Sequence, residues 1–552
     1  MKKLVFSIYL IFLFNISVSA STNTTDMFKK DFKVTIEWLE QKPKSTAKDF
    51  FILQYLEQDD TSIEDAKVAY DMANESNSNV KKAYNKKFKT LPPEELRCYR
   101  ATIEQLKKED SKCIALGLSL NEATEISKND LHFFITKLDA YPTLKKDLQI
   151  IASDNPFNSL INSDMDRFSR LFFDLNKEYR NKFFNKSLNQ ELINKIIKSK
   201  NFERFLRYVI YDKSLVNLQK SLLSVENNPQ MNSENLFSLG INAVNNDNLN
   251  VALKFFNEAN QKTYLRTSKD KCLFWIYLLT QNQLYLEELA LSWDNNIYSL
   301  YAKELLNLEI DNIEYSIPLK NTKSSFNIYD PFEWMKVLDD TKKNFDESKL
   351  QKYEDLFSDE NTLAHHAFVL ERFNKYKKQY FITPYRNIVK NYDVDKQVLI
   401  YSIARQESHF IPSSISFSSA QGVMQIMPFL SSDIAKKLNE DYNIYEQFIP
   451  SMNIRYGSFH LDDLVKQFNN NPLFIAYAYN GGAGYTRSQL KKGLFKTRAK
   501  YEPFLSMELI SFAETREYGK KVLANYYIYN NYLNNENKID FSTIFQSLIE
   551  LN

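Results

Sequence analysis

Glycine is almost absent from most of this 552-residue chain. Only Gly117 and Gly240 precede residue 422, whereas seven of the nine glycines lie at or beyond it. Since glycine supplies the positive-φ positions that turns and irregular loops use, a long stretch without it predicts helices joined by short turns, with few such positions. The sequence therefore predicts a long helical part, followed by a C-terminal part with more loops.

Apolar residues recur at helical spacing from Leu236 to Ala259 and predict one helical hairpin around Gly240. The hairpin resembles a single tetratricopeptide-type unit, and the segment from Trp275 to Leu306 predicts further hairpins. No strict sequence period is present. We therefore predict an all-α protein built on a degenerate helical solenoid, with an ordinary multi-helix bundle left open as the alternative.

Residues 1–20 combine the basic start Lys2-Lys3, a short apolar run and small residues ending at Ala20. This pattern is typical of a secretory signal peptide, and Asn15 interrupts the run before it reaches the roughly 20 apolar residues of a membrane-spanning helix. No cysteine follows to carry a lipid anchor. The sequence therefore predicts an exported, periplasmic protein without a stable membrane anchor.

Charge is nearly balanced, since 71 Lys and Arg face 69 Asp and Glu for a net charge of +2. Removal of Lys2 and Lys3 with the signal peptide brings this to 2 − 2 = 0. A balanced chain lacks the excess of cations that phosphate contacts require, so nucleic acid is not predicted as a partner.

Three cysteines and five histidines show no spacing typical of a zinc site, and we predict neither metal nor cofactor. In an oxidising compartment, Cys98 and Cys113 could form a disulfide across two adjoining helices. Cys272 is expected to be a buried small apolar residue.

Glu407 is the main candidate for a catalytic group. Ile400 and Ile403 predict a helix from Lys396 to Gln406, and position 407 continues their apolar face. A carboxyl group beside apolar side chains is poorly solvated, which raises its pKa and suits a general acid. A solvent-facing glutamate at a frayed helix end is the alternative.

The segment from Ser416 to Pro428 mixes small and amide-bearing residues with Met424 and Met427. Such a mixture suits a sugar, which needs hydrogen bonds at its rim and contact on its faces. A plain turn into the next helix explains the composition equally well.

Four ordered motifs lie between residues 403 and 523, and they read R-Q-E-S, G-V-M-Q-I-M-P, A-Y-N-G-G-A-G and E-T-R-E-Y-G-K-K-V-L. Taken together, these motifs resemble those of the soluble lytic murein transglycosylases. The family implies a signal peptide (1–20), a superhelical domain (21–315), a helical linker domain (316–379) and a lysozyme-like catalytic domain (380–552).

The resemblance also implies a substrate and a mechanism. Peptidoglycan glycan strands would be cleaved between N-acetylmuramic acid and N-acetylglucosamine, with Glu407 acting first as acid and then as base to form 1,6-anhydromuramoyl ends. Protein partners are not predicted. By position in the motifs, glycan would be bound by Ser416, Gln425, Met427, Tyr479, Asn480 and Glu514.

Two alternatives to this function stay open. A hydrolytic muramidase on the same fold would need a second carboxylate, and none lies between residues 408 and 432. The other alternative is a non-catalytic helical scaffold that binds glycan without cleaving it. The chain departs from the family at Ser419, where Gly is usual, at Gly481-Gly482-Ala483, where Ala-Gly-Pro is usual, and at Gly519, where Val is usual.

Overall fold

The chain is almost entirely helical in a computed structural model that describes residues 24–88, 92–226, 229–320, 322–496 and 499–549. The predicted signal peptide, residues 1–20, lies outside these ranges. Within them the strands are the two-residue β1 (Ile313–Glu314) and β2 (Gln379–Tyr380). This confirms the predicted all-α class. No helix in the described part of the chain combines the length and apolarity needed to cross a bilayer.

Short helices make up the first part of the chain. Many of them begin at a Ser, Thr, Asn or Asp whose side chain accepts a hydrogen bond from the first turn, as Ser45 and Thr102 do. The helices are α1 (Ile36–Glu40), α2 (Thr46–Glu57), α3 (Ile63–Met72), α4 (Ser78–Phe88), α5 (Pro93–Arg100), α6 (Ile103–Leu106), α7 (Ser111–Gly117), α8 (Leu120–Ala123), α9 (Lys128–Lys137), α10 (Pro142–Ala152), α11 (Pro156–Ile161), α12 (Met165–Asp174), α13 (Lys177–Tyr179), α14 (Gln190–Ile197), α15 (Phe202–Ile210) and α16 (Val216–Ser221).

The next helices pack consecutively on one another, as the predicted hairpins require. They are α17 (Ser233–Asn245), α18 (Leu249–Lys262), α19 (Arg266–Thr280), α20 (Gln283–Ala290) and α21 (Ile297–Leu305). Gly240 lies where α17 crosses α18, and a Cβ there would stand 2.5 Å from the ring of Phe256. The glycine therefore serves close helix packing rather than a turn.

Few positive-φ positions occur in the described part of the solenoid, as expected. Asp247, Gln281 and Asn307 all have φ of 54° at the ends of helices α17, α19 and α21. Polar side chains tolerate this left-handed conformation better than most others, so they end helices here without glycine.

The segment between the solenoid and the C-terminal region contains α22 (Pro331–Asp340), α23 (Glu347–Leu356) and α24 (Leu363–Phe373). Strands β1 and β2 pair in parallel on either side of it, with Ile313 opposite Gln379. His365 and His366 are buried in α24. The exact boundaries 316 and 379 remain a prediction.

The C-terminal region packs α32 (Ala513–Leu533) against α26 (Val394–Ser408) and α29 (Pro472–Gly481). Short 3₁₀ turns occur at Thr24–Phe28, Leu222–Ser224, Glu360–Thr362 and Ile444–Phe448, and a π-helical turn at Arg180–Phe184. The helices of this region are α25 (Arg386–Val389), α26 (Val394–Ser408), α27 (Pro428–Leu438), α28 (Pro450–Gln467), α29 (Pro472–Gly481), α30 (Ala483–Lys491), α31 (Phe504–Glu508), α32 (Ala513–Leu533) and α33 (Phe541–Ser547).

Polar contacts join the solenoid to this C-terminal region. The phenol of Tyr298 donates to Glu508 Oε1 at 2.6 Å, and Nη1 of Arg516 donates to the phenolic oxygen of Tyr211 at 2.7 Å. One hydrophobic core runs through both parts. The N-terminal helices also reach the C-terminal region, where Phe51 stacks on Tyr445 with centroids 5.7 Å apart.

A disulfide joins Cys98 in α5 to Cys113 in α7, with Cα atoms 5.1 Å apart. The short helix α6 lies between them. Cys272 is free and buried in α19, as expected.

Candidate active site

Glu407 lies in the last turn of α26. The helix starts at Asp393, whose carboxylate accepts from the Lys396 backbone N–H, and ends where His409 adopts φ of 50°. Its residues from Val398 to Arg405 are buried. The candidate acid is therefore carried by a rigid helix inside the core, and not by a frayed end.

The carboxyl group of Glu407 is poorly hydrated and has one strong donor. Burial raises its pKa to about 7, the hydrogen bond from Tyr518 opposes this rise, and the negative charge of Glu514 adds to it. The Tyr518 phenol donates to Glu407 Oε1 at 2.7 Å. A group with this pKa exists in both protonation states near neutral pH, which suits proton donation followed by proton removal.

Tyr518 was not predicted to touch Glu407, although it lies in the E-T-R-E-Y-G motif, four residues after Glu514. Helix α32 packs on α26 and brings the buried phenol to the carboxylate. Burial and the charge of Glu407 raise the pKa of Tyr518 well above its usual value. The phenol therefore keeps its proton and remains a donor.

Tyr479 joins the loop after Glu407 to α29. Its phenol donates to the Met424 carbonyl at 2.7 Å, and burial followed by the charge of Glu407 raises its pKa well above the usual value. Asn453 Oδ1 accepts from the Met424 N–H at 2.7 Å, and Ser408 Oγ donates to the Val423 carbonyl at 2.6 Å. The loop is thus held beside the candidate acid.

Asn480 and Glu514 lie side by side at the edge of a cavity of about 440 Å³. Asn480 Oδ1 accepts from Thr515 Oγ1 at 2.7 Å, while its Nδ2 lies 3.5 Å from Glu514 Oε1. Phe512, which is 56% exposed, and Arg207 from the solenoid also line this cavity. An amide, a carboxylate and an open aromatic face provide groups that bind sugars.

Ser416 and Gln425 hydrogen-bond mainly to the loop itself. Ser416 Oγ accepts from the Ala420 N–H at 2.9 Å, and Gln425 Nε2 donates to the carbonyls of Ser414 and Gly422 at 3.0 and 2.8 Å. Their side chains therefore stabilise the loop conformation. Whether they also contact glycan stays a prediction.

Met427 precedes α27 and lines a separate cavity of about 640 Å³. Lys30 and Phe32 of the N-terminal segment lie on the other side of this cavity, and Phe429 and Tyr442 complete its C-terminal wall. Met427 therefore lines a different cavity from Asn480 and Glu514, and Ser416, Gln425 and Tyr479 line neither of the two.

A buried ion pair holds the other side of α26. Arg405 Nη2 donates to Glu371 Oε1 at 2.6 Å, and His409 Nδ1 lies 3.4 Å from Glu371 Oε2. Burial alone would raise the pKa of Glu371, but the charge of Arg405 and the contact with His409 hold it at about 2. Glu371 belongs to α24, so the segment before the C-terminal region helps to fix the helix that carries Glu407.

Within the described ranges, no group of three or more His, Cys, Asp or Glu side chains could hold a metal ion. The candidate site so far consists of a buried acid with a raised pKa, two tyrosines, an amide and a second carboxylate. Its sequence matches one family model, the Transglycosylase SLT domain, over residues 385–501.

Residues 385–501 are therefore similar to transglycosylase SLT domains. The matched segment contains Glu407, Tyr479 and Asn480. Glu514 and Tyr518 lie beyond its end, on α32. The site that the structure brings together is therefore larger than the matched SLT segment.

Named proteins with related sequences are the soluble lytic murein transglycosylases of Escherichia coli (strain K12), 34% identical over 149 residues, and of Salmonella typhimurium, 38% identical over 125 residues. These alignments cover 26% and 22% of this chain, and 22% and 19% of the two relatives. The chain thus spans about a fifth of the length of the curated relatives it matches.

A crystal structure of the 70 kDa soluble lytic transglycosylase from Escherichia coli aligns with 93% of this chain and 76% of its own, at 16% identity and a TM-score of 0.42. The inactive mutant of lytic transglycosylase Slt from Pseudomonas aeruginosa aligns with 89% and 82%, at 15% identity and a TM-score of 0.41.

The structure shows the local environment of each of the three positions that depart from the family pattern. Ser419 has φ of 71°, in the region that favours glycine. A Cβ at Gly481 would stand 2.8 Å from Thr515 Oγ1, the group that fixes Asn480. A Cβ at Gly519 would stand 2.1 Å from the ring of Tyr477, which fills the space that a valine would need.

Proposed function

We propose that this protein is a lytic transglycosylase that cleaves peptidoglycan between N-acetylmuramic acid and N-acetylglucosamine. The observation that carries the proposal is the poorly hydrated carboxyl of Glu407, with a pKa of about 7, inside the SLT domain. The sequence alignments cover only part of each named relative. The proposal for the activity of the complete chain therefore rests on this site.

The first step is proton donation by Glu407. Because Oε1 accepts the hydrogen bond from Tyr518, the carboxyl proton is carried on Oε2. It passes to the glycosidic oxygen as the bond from this oxygen to C1 of the muramoyl residue breaks. The carbonyl oxygen of the N-acetyl group on the same sugar forms a bond to C1 as the glycosidic oxygen leaves.

The second step uses the carboxylate that the first step leaves. Glu407 accepts the proton of the muramoyl C6 hydroxyl while O6 forms a bond to C1 and the N-acetyl oxygen leaves C1, which gives a 1,6-anhydro ring, regenerates the N-acetyl group and restores the protonated acid. A pKa near neutral makes both transfers feasible, and such proton transfers contribute about 10²–10⁴-fold in rate.

Hydrolysis by a muramidase is the second candidate, and one observation favours it. Glu514 lies close enough to Glu407 for its charge to raise the pKa of that group. A second carboxylate could activate water in place of the C6 hydroxyl. Sequence alone offered no such group within the Glu407 motif.

The products distinguish the two reactions. Transglycosylation yields fragments that end in 1,6-anhydromuramic acid, one water lighter than hydrolysis products and resistant to borohydride. We expect mass spectra of digested, purified murein to show anhydro ends. Borohydride-reducible ends would establish the muramidase instead.

Substitution of the acid tests the site itself. Glu407→Gln keeps the size of the side chain but removes its proton, so murein lysis should fall by at least about 10²-fold. Glu536→Gln, at an exposed position after α32, is the matched control and should retain full activity. Binding of murein by an inactive wild-type protein would indicate the glycan-binding scaffold.

We also propose that the chain is exported to the periplasm, where its substrate lies. The support is the sequence of residues 1–20, which lie outside the described ranges. N-terminal sequencing of protein recovered from the periplasm should begin close to Ser21. A mature protein that begins at Met1 in the cytoplasm would contradict this.

A further inference from the structure

A strongly basic pocket lies between the solenoid and the SLT domain, with a volume of about 610 Å³. Five cationic side chains and one carboxylate line it: Lys177, Arg180, Arg207, Lys213, Lys492 and Asp212. The whole chain has a net charge of only +2. This basic pocket therefore concentrates positive charge that the overall composition does not reveal.

The cations of the basic pocket are only partly neutralised. Lys177 Nζ lies 3.2 Å from Asp212, and Lys213 Nζ donates to the carbonyl oxygen of Lys492 at 2.8 Å. Burial lowers the pKa of Lys492, and the nearby charge of Lys177 lowers it further. A bound anion would relieve this repulsion between cations.

Arg180 adds a buried donor, Nε, that has no hydrogen-bond partner in the described part of the chain. Its side chain is 4% exposed, lies 4.6 Å from the ring centre of Tyr208, and donates from Nη1 to the carbonyls of Phe172 and Leu175. Its Nε makes no hydrogen bond within the described residues. An unsatisfied buried donor is costly unless a ligand or water pairs with it.

The basic pocket adjoins the cavity at the edge of the candidate active site. Arg207 lines both the basic pocket and the cavity that contains Asn480 and Glu514. Tyr211, on the pocket wall, accepts a hydrogen bond from Arg516, which lies between Glu514 and Tyr518 on α32. A ligand in either cavity therefore lies against Arg207.

We propose that the basic pocket binds the carboxylates of the peptide stem carried by the glycan. This inference rests on the proposed function. The sugar backbone of peptidoglycan carries few charges, whereas its stem peptides carry several free carboxylates. Guanidinium and ammonium groups bind carboxylates through charge-assisted hydrogen bonds. The solenoid would then select stem-bearing strands for the SLT domain.

Titration of the full chain with a free stem tetrapeptide tests the proposal without relying on catalysis. We expect saturable binding by calorimetry, and roughly fivefold to tenfold weaker binding for the double variant Lys177→Gln/Arg207→Gln, which removes two partly exposed cations. The same tetrapeptide with its carboxylates amidated should bind to the wild type at least as weakly as the unmodified tetrapeptide binds to the double variant.

The matched control is Lys195→Gln/Lys200→Gln on the same solenoid. Lys195 and Arg207 have similar exposure and each pairs with a glutamate four residues earlier, and Lys200, like Lys177, pairs with an aspartate. The control should bind the tetrapeptide as the wild type does. The proposal would be overturned if the two double variants bound the tetrapeptide equally well. It would also be overturned if the wild type bound the amidated tetrapeptide as tightly as the unmodified one.

Two further outcomes are decisive. Inorganic phosphate that displaces the tetrapeptide at equal concentration would reveal a site for any anion and would overturn the assignment to stem peptides. If lysis is observed, the ratio of KM on peptide-stripped glycan to KM on stem-bearing glycan should fall toward one in Lys177→Gln/Arg207→Gln. An unchanged ratio would contradict the proposal even if the enzyme is a transglycosylase.

Discussion

The phenol of Tyr518 donates a 2.7 Å hydrogen bond to Oε1 of Glu407, across 111 residues of sequence. This bond stabilises the carboxylate against the effect of burial, so it sets how far the pKa of Glu407 rises. It also leaves Oε2 to carry the transferred proton. Tyr518 therefore positions and tunes the acid without reacting itself.

Removal of this donor should shift the pH dependence of lysis. In Tyr518→Phe the carboxylate loses stabilisation, so the pKa of Glu407 rises, by about one unit for a hydrogen bond to a charged group. The alkaline limb of the pH–rate profile, where the acid loses its proton, should move to higher pH. Tyr526→Phe, on the same helix, should leave the profile unchanged, and an unshifted limb in Tyr518→Phe would contradict this role.

Glu407 should destabilise the folded protein at alkaline pH. Its pKa is about 7 in the folded chain and 4.5 in its ordinary state, so the stabilising contribution is fully present below pH 4.5 and is lost as the pH rises through 7. Glu407→Gln should therefore raise the free energy of unfolding at pH 8 by about 1–3 kcal/mol. Urea unfolding at pH 5 should show a much smaller difference, and an equal gain at both values would exclude this cause.

Ser419 should gain stability from replacement by glycine. Its φ of 71° is unfavourable for a residue with a side chain, and Ser419→Gly should stabilise the protein by about 0.5–1 kcal/mol. Thermal unfolding measures the change. Ser418→Gly, next to it and without positive φ, should give no gain.

Gly519 and Tyr477 should behave as a pair. Gly519→Val places methyl groups where the Tyr477 ring lies, and we expect a loss of about 3 kcal/mol or more in unfolding free energy. Tyr477→Ala, which alone removes a fully buried ring, should cost less in this background than in the wild type, because the ring no longer competes with the valine for space. Strictly additive losses in the double variant would show that the two side chains do not compete for space.

The Cys98–Cys113 disulfide should stabilise the first part of the solenoid. A closed loop of this length, with 15 residues of separation, contributes about 3 kcal/mol in the chain-entropy model. A non-reducing peptide map should recover both cysteines in one linked peptide. Cys98→Ser/Cys113→Ser should unfold at lower urea concentration, whereas Cys272→Ser should remain disulfide-linked.

Sequence patterns predicted those features that short segments encode. Glu407 was recognisable because its helix, its apolar face and its flanking motif all lie within a few turns. The helical hairpin around Gly240 was recognisable for the same reason.

Long-range contacts escaped prediction because each needs the packing of distant elements. The sequence around Glu407 does not indicate that Tyr518 contacts it. Likewise, the sequence around Asn480 does not indicate that Arg207 lines the same cavity. The left-handed positions at Gln281 and Asn307 show a further limit, since they carry polar side chains and not glycine, so the placement of glycines gave no sign of them.

The hydrophobic core shared by the solenoid and the C-terminal region affects how the protein unfolds. Apolar residues from Cys98 to Leu548 form one continuous cluster, and the Tyr298–Glu508 and Tyr211–Arg516 hydrogen bonds cross between the solenoid and the SLT region. The two parts cannot separate without exposing a common interior. The solenoid and the SLT domain should therefore unfold cooperatively, as one thermodynamic unit and not as independent domains.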